Sequence, residues 1–280
     1  MENQVKTVLL LGGLTGLLLA VGYFIGSQTG LIIALAITII MNLGVYWFSD
    51  KIVLAMYQAK EASKADYPKL HKIVEEVCTL AKIPKPRVYV IPSDAANAFA
   101  TGRSPNHAAI AFTNGIMSLL NEEELKGVTA HEISHVKNRD VLVSTIAATI
   151  AGVISTLAHM MQWAAIFGGR DEDNKGGIIG LLLLAILTPI IAMVLQLAIS
   201  RSREYLADET GARTIRNPHG LASALSKLEG EKTKKPLHLG NEATASLCIV
   251  NPLSGNGLLA LLSTHPPLKE RVKRLMAMRV

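Results

Sequence analysis

Charge is missing from three long stretches of this chain. No Asp, Glu, Lys or Arg occurs between Lys6 and Asp50, between Asp140 and Arg170, or between Lys175 and Arg201. Over all 280 residues only 18% are charged and 50% are hydrophobic, with a mean hydropathy of +0.33. Such a composition excludes an ordinary soluble domain. Cysteine is scarce too. Cys78 and Cys248 stand far apart and in no metal-ligand spacing, which excludes a disulfide framework; both read as reduced and structural, in keeping with a cytosolic face. Internal repeats and low-complexity tracts are absent.

A bilayer core needs about 20 apolar residues in a helix. The first uncharged stretch holds two such segments, Thr7–Gly26 and Leu31–Ser49, separated by the polar turn Ser27-Gln28-Thr29-Gly30. The other two stretches hold one each, so four spans are expected. A cleaved signal peptide fits poorly, because the basic start is thin and a second apolar segment follows at once. Pro189, near the middle of the fourth segment, suits a membrane helix better than a soluble one. Lys6 precedes the first span, Lys51, Lys60 and Lys64 follow the second, Lys137 and Arg139 precede the third, and Arg201 and Arg203 follow the fourth. This bias predicts that both termini and the polar mass face the cytoplasm. A pI of 9.3 suits a body held against anionic lipid, and nothing points to nucleic acid.

The polar segments read as mostly helical with a small sheet. Leu70, Ile73, Val74, Val77 and Leu80–Ala81 form an apolar stripe that predicts a helix over 67–82. A short helix is expected over 51–56. Strands are expected at 87–91, 97–102 and 108–112, with Asn114-Gly115 as a turn and a short helix over 117–120. Asn121, followed by three glutamates, reads as the cap of a further helix. No Pro or Gly lies between Val128 and Ala151, so that helix is expected to continue into the third span. The fourth span likewise runs without a breaker into Ser202–Glu209. Helices are expected over 221–228 and, as a basic one, 267–278, with a Lys/Gly-rich loop over 229–241 between them.

The helix after Asn121 carries His131-Glu132-Ile133-Ser134-His135. Residues four apart share a helix face, so both imidazoles can reach one Zn²⁺. Glu132 sits beside them with a carboxylate able to take a proton from water. A catalytic zinc needs a third protein ligand, and the downstream candidates are Glu204, Asp208, Glu209, His219, His238 and His265. Geometry favours Glu204. At about 1.5 Å per residue, His135 lies about 9 Å before the third span and Glu204 about 8 Å past the fourth, one level in an antiparallel hairpin. Asp208, one turn further on, is placed to accept a hydrogen bond from a ligand histidine. The strand at Asn97, Ala98 and Phe99 is a candidate to pair with an extended substrate backbone.

Three motifs together, His131-Glu132-x-x-His135, Ser202-Arg203-Glu204-Tyr205-x-Ala207-Asp208 and Thr264-His265-Pro266-Pro267-x-x-x-Arg271, resemble the HtpX-type membrane metalloproteases, relatives of the CAAX prenyl proteases. Asn97-Ala98-Phe99-Ala100-x-Gly102 fits the same pattern, and the resemblance covers nearly the whole chain. It implies His131, His135 and Glu204 as ligands of one Zn²⁺ per chain, with Glu132 as acid/base. It also implies that His265 and Arg271 line the active site, as candidates to stabilise the oxyanion.

The fold expected is α+β and mostly helical: a gluzincin-like metalloprotease domain with a small sheet, built onto two transmembrane helical hairpins. Residues 1–50 would form one hairpin and 141–200 the other; 51–140 and 201–280 would form the two cytosolic parts of the protease. By the resemblance, its activity would be cleavage of misfolded or damaged membrane proteins, and of unfolded polypeptides, in the cell membrane. Two other readings compete. A processing protease for prenylated C-termini would use a chamber of more spans than four. A non-catalytic zinc-binding scaffold would have no need of Glu132.

Overall fold

The computed structural model describes residues 50–140, 175–231 and 266–280 continuously, and isolated positions among 9–48 and 142–158 and at 249. The first two expected spans, the third, the loop over 232–241, His159, Cys248 and His265 lie wholly or mostly outside the described residues. The chain divides into two compact units, Met1–Val45 with Val143–Ser202, and Tyr46–Leu142 with Arg203–Val280.

The second unit is built around a four-stranded sheet. Its strands are β1 (Lys60–Glu61), β2 (Arg87–Ile91), β3 (Ala98–Thr101) and β4 (Ala109–Thr113), in the order β1-β2-β4-β3. β2 and β4 run parallel, while β1 and β3 pair antiparallel on either side. Strand side chains alternate between faces, and here both faces are buried. Val88, Val90, Ile110 and Phe112 join one core; Tyr89, Ile91, Ala109 and Ala111 join the other, with Val53, Leu54, Tyr57 and Phe99. Residues 50–56 are helical, as expected.

Helices cover the first face. α1 (Pro68–Ala81) buries Leu70, Ile73, Val74, Val77 and Ala81, the stripe its sequence predicts, and stops where Lys82 turns left-handed at φ 57°. α2 (Asn114–Leu119) begins where the composition predicts a turn. The Thr113 hydroxyl caps it by accepting the Ile116 N–H at 3.1 Å, so Asn114 and Gly115 become its first turn. β1 has no signal in the sequence, since two exposed residues show no alternation.

α3 (Glu122–Lys137) is capped reciprocally. Asn121 Oδ1 accepts the Glu124 N–H and the Asn121 N–H donates to Glu124 Oε2, both at 2.9 Å. α3 does not run on as expected. It ends at Lys137, with Asn138 as cap, and Arg139 adopts φ 55°. α5 (Pro218–Glu231) crosses α3 closely: a Cβ on Gly127 would lie 2.5 Å from the Leu221 nitrogen. α6 (Leu268–Met276) buries Arg271 and Leu275.

α4 (Lys175–Ile215) is a single helix of 41 residues with Pro189 inside it, and it runs unbroken through Glu204 and Asp208 as expected. Among the described residues it is the one helix long and apolar enough to cross a membrane, over Ala185–Ile215. In the first unit Ala147, Ala151, Ile154, Ala192 and Ile199 pack together. Ile186, Leu187, Ile190, Ile191 and Val194 of α4 stay about half exposed.

Candidate metal centre

Every described group of the site belongs to the second unit. α3 presents His131, Glu132 and His135, and α4 presents Glu204 and Asp208. The two helices approach closely here, because Gly211 of α4 has no side chain. A Cβ there would lie 3.0 Å from the Ala130 carbonyl and the His131 nitrogen.

His131, His135 and Glu204 each turn one ligand atom to a common point, with all three atoms within 4.8 Å of one another. The Nε2 atoms of the histidines are 3.1 Å apart. Glu204 Oε2 lies 3.7 Å from His131 Nε2, and Oε1 lies 3.4 Å from His135 Nε2. Ligands about 2.0–2.1 Å from a tetrahedral Zn²⁺ would be about 3.3–3.4 Å apart. The nearest approaches, two of them made by different oxygens of Glu204, lie on either side of that value, so the donor set fits the metal.

The opposite ring atoms strengthen that fit. His131 Nδ1–H donates to Asp208 Oδ1 at 2.9 Å, and His135 Nδ1–H donates to Asp140 Oδ2 at 2.5 Å. With both Nδ1 protons committed, the two Nε2 lone pairs face each other across 3.1 Å. Two such lone pairs repel, and a cation belongs between them. Burial alone would lower the pKa of His135, but the hydrogen bond to Asp140 and the charges of Glu204, Asp140 and Glu132 together lift it to about 9. Burial and the Arg271 charge lower that of His131.

Glu132 is 1% exposed. Burial, with the charge of Glu204, raises its pKa to about 8 against the pull of His135 and a hydrogen bond from the Ala100 N–H. It is not among the converging ligand atoms, so its carboxylate stays available beside them.

Arg271 reaches the ligand groups themselves, with Nη2 3.3 Å from His131 Nε2 and 3.4 Å from its Nδ1. It is wholly buried, and its fork grips Asp208, with Nε on Oδ2 and Nη2 on Oδ1, both at 2.8 Å. Nη1 lies 3.2 Å from Glu204 Oε2 and donates to the Ile249 carbonyl at 3.4 Å. Arg271 thus faces the ligand carboxylate of Glu204 as well as Asp208, the carboxylate behind His131. Among the other ligand candidates, Glu209 pairs with Arg213 and His219 rests against Met276 sulfur.

Asn97, Ala98 and Phe99 are buried. The Asn97 backbone exchanges hydrogen bonds with Thr113, and its Oδ1 accepts the Ala98 N–H at 2.9 Å. The Phe99 ring packs on Tyr57, 5.0 Å between centroids. β3 is an outer strand of the sheet. On its outward edge the Ala98 carbonyl accepts the Ile249 N–H at 3.0 Å, and the Ala100 N–H faces Glu132.

Asp140 and Arg203 are also at the site, and the sequence does not single them out for it. On a continued helix Asp140 would lie about 140° round from His135. The left-handed Arg139 brings it back instead, and a helix-breaking Gly or Pro that could have signalled this is absent.

Known proteins resemble this chain over nearly its whole length. The model of peptidase family M48 matches residues 64–279. The chain is 54% identical over 282 residues to a "Protease HtpX homolog" of Syntrophobacter fumaroxidans, covering 99% of this chain and 100% of that one. A relative of the same description from Pyrococcus furiosus is 54% identical over 272 residues, 97% of this chain and 94% of that one. The crystal structure of S. mikatae Ste24p shares the fold, with a TM-score of 0.59 at 18% identity. That match covers 98% of this chain but only 65% of the Ste24p chain.

Proposed function

This chain belongs to peptidase family M48 and is a metalloprotease, and on that premise we propose that it is a zinc-dependent endopeptidase of the cell membrane, cleaving misfolded or damaged membrane proteins at their cytoplasmic segments. One observation carries the catalytic reading. Two histidine nitrogens and a carboxylate converge at the spacing of a tetrahedral zinc site, with Glu132 buried next to them.

His131, His135 and Glu204 would hold one Zn²⁺ per chain. When bound it supplies Lewis acidity, acidifying water and polarising the scissile carbonyl. Glu132 then does the proton work. A dication nearby favours its charged form, so it takes a proton from the attacking water and returns it to the departing amine. Asp208 holds His131 in the tautomer that turns Nε2 inward, and Arg271 holds Asp208. His265 and Arg271 are the candidate donors to the oxyanion. The outer edge of β3, at Asn97, Ala98 and Phe99, would receive an extended substrate through its backbone in place of the Ile249 N–H that the Ala98 carbonyl accepts, since its side chains are buried.

The membrane placement rests on the uncharged stretches and on the half-exposed apolar side chains of α4. We read a gluzincin-like catalytic domain on two transmembrane hairpins, with both termini cytoplasmic. Substrates would then be lipid-embedded proteins presenting unfolded cytoplasmic polypeptide.

The test is Glu132→Gln in the full-length protein. It should retain one Zn²⁺ and lose casein cleavage by at least a hundredfold, the scale of general acid–base catalysis of about 10²–10⁴. Wild-type proteolysis by this variant would refute the assignment.

A further inference from the structure

Behind the two histidines stand two similar relays. His131 leans on Asp208, which Arg271 grips. His135 leans on Asp140, which Arg203 grips, with Nε 2.5 Å from Oδ1 and Nη2 on the same oxygen. Arg203 Nη2 also donates to the Asn138 carbonyl at 2.7 Å, at the very end of α3. The side chains of Asp140 and Arg203 are each only 8% exposed.

We propose that Asp140 and Arg203 are positioning residues of the metal centre, locking the ring of His135 to the helix that carries Glu204. The proposal rests on the zinc reading above. Asp140 holds the proton on Nδ1 of His135 and so presents Nε2 as a lone pair toward Glu204. Arg203 immediately precedes Glu204 on α4. Through Asp140 and the Asn138 carbonyl it fastens the start of the Glu204 segment to the end of the His135 helix. One histidine and the carboxylate ligand are thereby fixed relative to each other before a metal arrives.

The backbone supports this role. Reaching His135 from position 140 requires α3 to stop and turn through Arg139 at φ 55°, a conformation disfavoured for a residue with a Cβ. Strain of this kind persists only where surrounding contacts over-determine it. Here the contacts that hold the turn are the same ones that hold the histidine.

A plain staple between α3 and α4 would be held by the same bonds but would not tune the metal. Asp140→Asn, and the charge-balanced double variant Asp140→Asn/Arg203→Gln, separate the two roles in full-length detergent-purified protein. Zinc affinity is read by chelator competition, the ligand field by the visible spectrum of the Co²⁺-loaded protein, and folding by melting without metal. Both variants should bind zinc about 10–100-fold more weakly, the usual effect of losing a ligand's hydrogen-bond partner. Their Co²⁺ bands should move, and the double variant should be no worse than the single one. A folded double variant with wild-type affinity and an unmoved Co²⁺ spectrum would overturn the proposal alone. Wild-type protein without stoichiometric zinc, or His135→Ala with unchanged affinity, would overturn it together with the zinc reading.

Discussion

Metal uptake should be strongly pH-dependent. The two Nε2 atoms are 3.1 Å apart, and the neighbouring carboxylates raise the pKa of His135 to about 9, so without metal its ring would carry a second proton below that pH. Zinc must displace that proton. At pH 7, about two units lower, the displacement costs about 2.7 kcal/mol at about 1.36 kcal/mol per unit. Apparent zinc affinity at pH 7 should thus be about a hundredfold below its plateau. It should rise about tenfold per pH unit, levelling off above about pH 9. Glu132, raised to about 8, gives up a second proton if it ionises in the same step, which steepens the lower part of the curve. Chelator competition from pH 7 to 9 measures the slope. Calorimetry at pH 7 in buffers of different ionisation enthalpy counts the protons released, with at least about one expected. An affinity flat over this range, or uptake without proton release, would show that His135 does not carry that proton.

Stability without metal should run the other way. The folded pKa of His135 lies above its ordinary value of 6.5, so its contribution is present below that pH and lost as pH rises through about 9. The raised pKa of Glu132 acts with the same sign between 4.5 and about 8. Melting in EDTA should be lower at pH 8.5 than at pH 6, and zinc should restore more at the higher pH. Arg271→Ala strips counter-charge from Asp208 and Glu204; it should cost about 3–5 kcal/mol by denaturant titration, and a loss below 1 kcal/mol would deny it the role described. Gly211→Ala forces a Cβ against Ala130 and His131. A cost of about 1–3 kcal/mol is expected, with weaker zinc binding, and unchanged melting and affinity would contradict the close approach of α3 and α4.

Short repeating patterns were legible in the sequence. The stripe from Leu70 to Ala81 set α1, and Asn121 with Glu124 set the start of α3. His131 and His135 four apart, and Glu204 on an unbroken α4, converge as their spacing suggests. Backbone turns without a marker residue, and contacts between distant segments, were hidden. Arg139 turns left-handed although it is not glycine, so α3 ends where composition predicts continuation and Asp140 reaches His135. Asn114-Gly115 has the composition of a turn, yet the Thr113 hydroxyl recruits it into a helix. Arg271 sits in a basic run whose neighbours are solvated; the family resemblance singles it out, but its partners Asp208 and Glu204 are visible only in the fold.

The placement of Arg271 bears on when, during synthesis, the site can exist. His135 emerges from the ribosome 136 residues before Arg271, an interval of about 7–27 s at about 5–20 residues per second. Until Arg271 arrives, Asp208 and Glu204 lack the one guanidinium that both of them face. A nascent chain therefore carries its histidines and its base across those 136 residues without the guanidinium that both carboxylates face.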